Sequence, residues 1–293
     1  MIKTMFDVLQ EQAEQIVKDA SRLICEFSNL HPINDDNSNV TFLNVHGDHS
    51  WKTLPPEGKQ LQVELNKKVK KFNSLVTALF QNLPENEQED IELHLQELAR
   101  IVAQDEPTTA KTSKEAADLF QKAMQDIINT LDKCYADSSD PALAVVDTNA
   151  LLTNSNIEGW RFDGIKQFTI VLAPTILREL DKKKMNRNNE SVREKADSIV
   201  RRIKEYRRRG HLPDGVNIVN GKIMLQTIAE EPDMAQSLPA FDENNEDDRL
   251  LASTLEVMRS HLKREVFIVT GDLLLQSKAE MHGIPFREIP GPE

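Results

Sequence analysis

The chain has 293 residues, with 36 Lys and Arg against 48 Asp and Glu, a formal net charge of −12, and a composition that is 39% hydrophobic, 5% aromatic and 29% charged. That length accommodates two ordinary domains or one large one, and two cysteines, Cys25 and Cys134, exclude both a disulfide framework and a four-cysteine zinc site. No apolar run follows Lys3 and no stretch reaches the roughly 18 apolar residues of a membrane span, so a cytoplasmic protein with no signal peptide and no membrane partner is expected. Taken alone, an acidic total also argues against a polyanionic partner.

Phe6, Leu9, Ala13, Ile16, Val17, Ala20, Leu23 and Ile24 recur at three- and four-residue steps and predict a helix over about 5–29. Residues 31–51, rich in Asn and Asp, read as a long loop. Its HGDHS motif (His46, Asp48, His49) lacks the further ligands of a zinc site. Three more helices are predicted near 56–82, 86–104 and 112–135, with no clear strand among them. This describes an acidic all-α bundle over residues 1–138 that suits a regulatory or assembly role. A polar stretch ending in Pro141, ADSSDP, reads as a linker.

From residue 139 to 293 the pattern alternates. LAVVD (143–147), FTIVLA (168–173) and VFIVT (266–270) are short β-branched runs of the kind found in buried parallel strands. Helices are predicted around 174–182, 192–209 and 246–260, and Asn220-Gly221 between two apolar runs predicts a hairpin. The fold class is therefore α/β with a mostly parallel sheet, preceded by the helical bundle.

Acidic residues stand where such sheets bind ligands, beyond the carboxyl ends of the strands. Asp147 ends the first strand, Glu179 and Asp181 follow the second, Asp247 and Asp248 open a helix, and Asp272 follows the last long strand. Converging carboxylates repel one another unless a cation neutralises them. Oxygen-only ligation without Cys or a positioned His favours Mg2+ or Mn2+, which activates water and clamps a phosphodiester. Any one of them alone is also explained by helix capping or surface solvation, Asp247 near a helix start and Asp272 after a strand being ordinary positions for Asp.

Four motifs in one order carry a family resemblance: Asp-Thr-Asn at 147–149, Arg-Glu-Leu-Asp at 178–181, Asn-Glu-Asp-Asp-Arg-Leu-Leu-Ala at 245–252, and Thr-Gly-Asp at 270–272. Residues of about 142–290 resemble a PIN domain. The resemblance implies a three-layer α/β fold and a metal-dependent nuclease that hydrolyses single-stranded RNA to a 5′-phosphate and a 3′-hydroxyl. Asp147, Glu179, Asp248 and Asp272 then become the catalytic, metal-binding acids, with Asp247 adjacent to Asp248 and able to serve in its place. Thr148 and Asn149 either hydrogen-bond Asp147 or a bound water or cap the helix starting at Ala150. Asp181 is a supporting polar group, and Thr270 either orients Asp272 or the attacking water or simply ends a strand. Gly271 stands where relatives often carry Asn or Arg.

Between Arg178 and Arg209 there are 13 basic and 6 acidic residues, a local net of +7 beside the acidic motifs. Lys182, Lys183, Lys184, Arg187, Arg201, Arg202 and Arg208 are candidate contacts to a phosphodiester backbone, and nothing in the strip reads bases. Residues 1–140 hold 14 basic and 24 acidic side chains, so most of the negative charge lies in the helical half. The partner expected is nucleic acid, RNA before DNA. A toxin or defence effector is one setting, a structure-specific DNA nuclease or a non-catalytic PIN-like scaffold are competing readings, and a homo-oligomer or an inhibitor protein is left open.

Overall fold

The computed structural model describes residues 3–33, 49–186 and 189–291. The chain divides into two compact units, Leu9–Tyr135 and a second made of Met1–Val8 with Ala136–Glu293. Among the described residues no helix is long and apolar enough to cross a membrane.

Helix α1 (Met5–Arg22) ends in a single π-helical turn, Leu23–Phe27, which Ser28 closes by donating both its N–H (3.1 Å) and its hydroxyl (3.0 Å) to the Leu23 carbonyl. The predicted helix is thus interrupted at its last turn. A short antiparallel pair follows, β1 (Leu30–Pro32) and β2 (His49–Trp51), with Leu30 opposite Trp51. The sequence reading of this half has no strands, because three-residue strands are too short to show an alternating pattern. Helices α2 (Pro56–Phe80), α3 (Glu85–Ala103) and α4 (Ser113–Cys134) complete the unit. The start of α4 is capped reciprocally: Thr112 accepts from the Glu115 N–H at 3.2 Å, and the Glu115 carboxylate reaches back to the Lys111 N–H at 2.7 Å. Leu65, Val69, Phe72, Leu95, Leu98, Phe120, Ile127 and Leu131 recur at helical spacing and are buried, which gives these helices a common apolar core.

The second unit is a six-stranded sheet with helices. Strand β3 (Ala142–Val146) leads into α5 (Thr148–Thr153), then β4 (Phe168–Leu172), α6 (Pro174–Met185) and α7 (Glu190–Arg207). The hairpin β5 (Val216–Val219) and β6 (Ile223–Thr227) turns at Gly221, whose φ of +67° lies in the left-handed region. Helix α8 (Glu246–Ser260), β7 (Val266–Val269), α9 (Leu273–Met281) and β8 (Phe286–Arg287) follow. The order is β5-β6-β4-β3-β7-β8, parallel except for β5 against β6. Strands β3, β4 and β7 are buried throughout, consistent with their continuous apolar runs. The chain's first turn belongs here too: the Phe6 N–H donates to the Leu262 carbonyl (3.1 Å), and Lys263 Nζ sits 5.3 Å from the Phe6 ring centre.

Strand β3 pairs with its sequence neighbour β4 on one side and with the much later β7 on the other. That reversal of strand order opens a crevice at the carboxyl ends of β3 and β7, the place where open α/β sheets bind ligands. Asp147 and Asp272 lie just beyond those two ends.

Candidate active site

Asp147 follows the last residue of β3 and serves as the N-cap position of α5, with φ −80° and ψ 150°. Its N–H donates to the Val269 carbonyl of β7 (3.0 Å), so the sheet ladder itself fixes its backbone. Across the crevice, the fully buried Thr270 hydroxyl donates to Asp147 Oδ2 and accepts from the Asp272 N–H, both at 3.0 Å. One threonine thus holds two carboxylate residues in register. Asp272 Oδ1 caps α9, accepting from the N–H groups of Leu274 (2.8 Å) and Leu275 (3.2 Å). Gly271 between them is tight against the C-terminal segment: a Cβ there would stand 2.9 Å from Ile289 Cδ1.

Asp147 is 7% exposed. Burial pushes its carboxyl above the ordinary range. The Asn149 N–H and Thr270 hydroxyl oppose the shift, while the like charges of Asp247 and Asp272 add to it. Asp247 is likewise raised, first by burial; Lys278 opposes this, and Asp272, Asp248 and Glu246 reinforce it. These three acids, from β3, α8 and the start of α9, therefore lie within one another's field.

The neighbouring Asp248 has different surroundings. It is 6% exposed, and both oxygens are engaged: Oδ1 by Lys278 Nζ at 2.7 Å and Oδ2 by the Asp242 N–H at 3.1 Å. Its own N–H donates to Asn245 Oδ1, the cap of α8. Lys278 reaches Asp247 only at 4.0 Å. Of the two adjacent acids, Asp248 is bound up in an ion pair between α8 and α9, and Asp247 faces the other carboxylates.

On α6, Glu179 is pushed up to about 7, chiefly by burial and then by a hydrogen bond with Glu246, whose charge adds to the effect; Thr148 and Lys183 favour the ionised form. Glu246 is lowered, first as the acceptor of that same hydrogen bond and then by Lys182. The two carboxyl groups share one proton, and Lys182 Nζ stands 2.5 Å from Glu246 Oε1. The buried Thr148 hydroxyl lies close enough to act on Glu179 but makes no hydrogen bond of good geometry.

Not every expected residue joins this group. Asn149 contributes its backbone N–H, and its side chain is exposed. Asp181 lines a separate groove on another side of α6. Lys184 (3.8 Å) and Arg201 (2.5 Å) both pair with Asp197, and Arg202 donates to the Ser155 carbonyl at 2.6 Å. Lys183 is half-buried near Glu179, and Arg208 is exposed at the end of α7. Arg187, His46 and Asp48 lie outside the described residues. His49 sits in β2 with its N–H on the Thr108 carbonyl (3.2 Å). Sequence reasoning did not single out Glu246 or Lys278. Glu246 was signalled only by its place in a run of three acids, and nothing in the spacing marked Lys278, which reaches Asp248 through the fold alone.

The PIN domain family matches residues 144–289, from within β3 to beyond β8. The C-terminal half of the chain is a PIN domain. No curated protein matches the chain. A PIN domain is a nuclease-type fold, whose substrate class is nucleic acid, and PIN nucleases typically use divalent metals. The donors gathered here suit such an ion, being carboxylate oxygens from four segments with raised or shared protons. Among the described residues no three His, Cys, Asp or Glu groups lie close enough to enclose an ion.

Proposed function

We propose that the PIN domain is a metal-dependent endoribonuclease that hydrolyses phosphodiester bonds in single-stranded RNA. Asp147, Glu179, Asp247 and Asp272 hold Mg2+ or Mn2+, and Asp248 is the buried partner of Lys278. The observation that carries this reading is the placement of Asp147 at the strand-order switch, within the field of Asp247 and Asp272 and tied to the latter through Thr270. When bound, a divalent cation supplies Lewis-acid charge to the phosphodiester and to the attacking water.

The chain's own groups do the rest. Thr270 keeps Asp147 and Asp272 in fixed relation, and the Lys278–Asp248 pair anchors the start of α8 so that Asp247 is presented to the crevice. Without a cation the Glu179–Glu246 pair holds a proton near neutral pH, and Glu179 would release it before its oxygens could hold the ion. Lys182 and Lys183 bring positive charge to the edge of an otherwise repelling site. The choice of RNA goes with the family resemblance and is open to direct test. Single-stranded RNA and DNA of one sequence are incubated with Mn2+ and with excess chelator, comparing the native chain with Asp147→Asn. Cation-dependent internal cleavage of the RNA, reduced by about 10³-fold or more in Asp147→Asn, is expected. Equal cleavage by both proteins rejects the site, and preferential cleavage of DNA rejects the substrate.

A further inference from the structure

Helix α6 has two working sides. Arg178, Glu179 and Lys182 share one, with Lys182 on Glu246 and Glu179 beside Glu246. Asp181, about 200° round the helix from Glu179, faces a different space. That space is a groove of about 650 Å³ between α6, α7 and the segment 210–213, ample for a nucleotide. Its floor is aliphatic, with Leu177, Val200, Ile203 and Pro213. Lys204 and Arg207 line it as well, and among the described residues neither meets a carboxylate.

Two features connect this groove to the candidate active site. Thr227, at the carboxyl end of β6, lines it, and β6, β4 and β3 are parallel. The groove therefore opens at the same edge of the sheet as Asp147 and Asp272. Only the width of one helix, about 10–12 Å, separates it from Glu179, a distance that a few nucleotides of extended strand cover. The second feature is Asp181, which among the described residues receives neither an ion pair nor a hydrogen bond. An acidic peptide attracted by Lys204 and Arg207 would meet Asp181 as a like charge. A nucleotide offers both partners, a phosphate for the cations and a base amino group for the carboxylate.

We propose that this groove is a base-reading subsite. It receives an unstacked nucleotide a few positions from the scissile bond, with its phosphate at Lys204 and Arg207, its base on the aliphatic floor, and an exocyclic amino group donating to Asp181. Adenine, cytosine and guanine carry such a group, whereas uracil offers only its ring N3–H, flanked by two carbonyl oxygens that a carboxylate repels, so the subsite discriminates against uridine. This inference rests on the nuclease reading for its substrate but is tested without turnover. Labelled oligo-A, oligo-C and oligo-U RNA are titrated with the full chain in excess chelator, following fluorescence anisotropy.

The native chain is expected to bind oligo-A and oligo-C about tenfold more tightly than oligo-U. Asp181→Ala, an exposed substitution, is expected to bring the three to near parity by weakening A and C, with U unchanged or slightly tighter. Equal affinities in the native chain, or a preference that survives Asp181→Ala, overturn the subsite. Ile203→Trp, which fills the floor, is expected to weaken all three oligonucleotides. Unchanged binding in that variant overturns the proposal. Cleavage assayed on the same preparations separates the two readings. Preferential binding without cation-dependent cleavage leaves the subsite standing and removes the nuclease, and cleavage without base preference does the reverse.

Discussion

Asp247 and Asp248 are adjacent in sequence and differ in their partners. Asp248 neutralises Lys278 in a partly buried pair, so Asp248→Ala leaves the ammonium with only the more distant Asp247 at 4.0 Å and is expected to cost about 1–2 kcal/mol of stability in urea denaturation. Asp247→Asn removes a charge that its neighbours repel. It is expected to abolish cation-dependent cleavage while the urea midpoint holds or rises. A midpoint that falls further in Asp247→Asn than in Asp248→Ala reverses the assignment. Asp147→Asn keeps an oxygen for the Thr270 hydroxyl while discarding a buried charge, so its melting temperature in chelator is expected to exceed that of the native chain. Addition of Mn2+ should raise the native melting temperature and leave that of Asp147→Asn nearly unmoved. At this scale the sequence shows which residues carry charge near the crevice, since Asp147, Glu179 and Asp272 follow strands that are legible by composition. It does not show which of two neighbouring acids is already neutralised, because Lys278 lies 30 residues from Asp248 and meets it only when α9 folds beside α8.

Between elements, the shared proton of α6 and α8 makes a pH signature. Glu179 holds its proton to about 7 in the folded chain, against an ordinary value of 4.5, so between those limits the folded state binds more protons than the unfolded one. Stability is then expected to fall as pH rises from about 4.5 to about 7. The depressed Glu246 acts in the opposite sense and only below about 4.5, as it is protonated on acidification. Urea midpoints in chelator at pH 5 and pH 7.5 measure the decline, and Glu179→Gln should flatten it. An undiminished decline in that variant would place the responsible group elsewhere. The long strands and helices were legible because their periodicity is clear over many residues. Helix α9 and strand β8 were not: α9 has only Leu275 and Ala279 buried and exposes Leu273 and Leu274, and β8 is two residues long. Both are decided by partners far along the chain.

For the molecule as a whole, the acidic total conceals two electrostatic regimes. The net +7 of residues 178–209 belongs to the PIN domain, next to carboxylates that a cation would neutralise, whereas most of the negative excess lies before residue 140. The sequence reading places a boundary near 138, and the linker composition supports one there. It could not reveal that the first residues group with the last half, since one turn of α1 looks like the rest of α1. Phe6 is 7% exposed, and Phe6→Ala is expected to destabilise the PIN domain by about 3 kcal/mol, read as faster amide exchange around Leu262. In threading terms, the helical unit is an insertion, with segments of the other compact unit before and after it. A protease that nicks the irregular stretch 136–141 therefore severs only one of two attachments. The fragment carrying the helices should remain with the PIN domain through its first residues until denaturant is added, and it should co-elute with that domain on a sizing column.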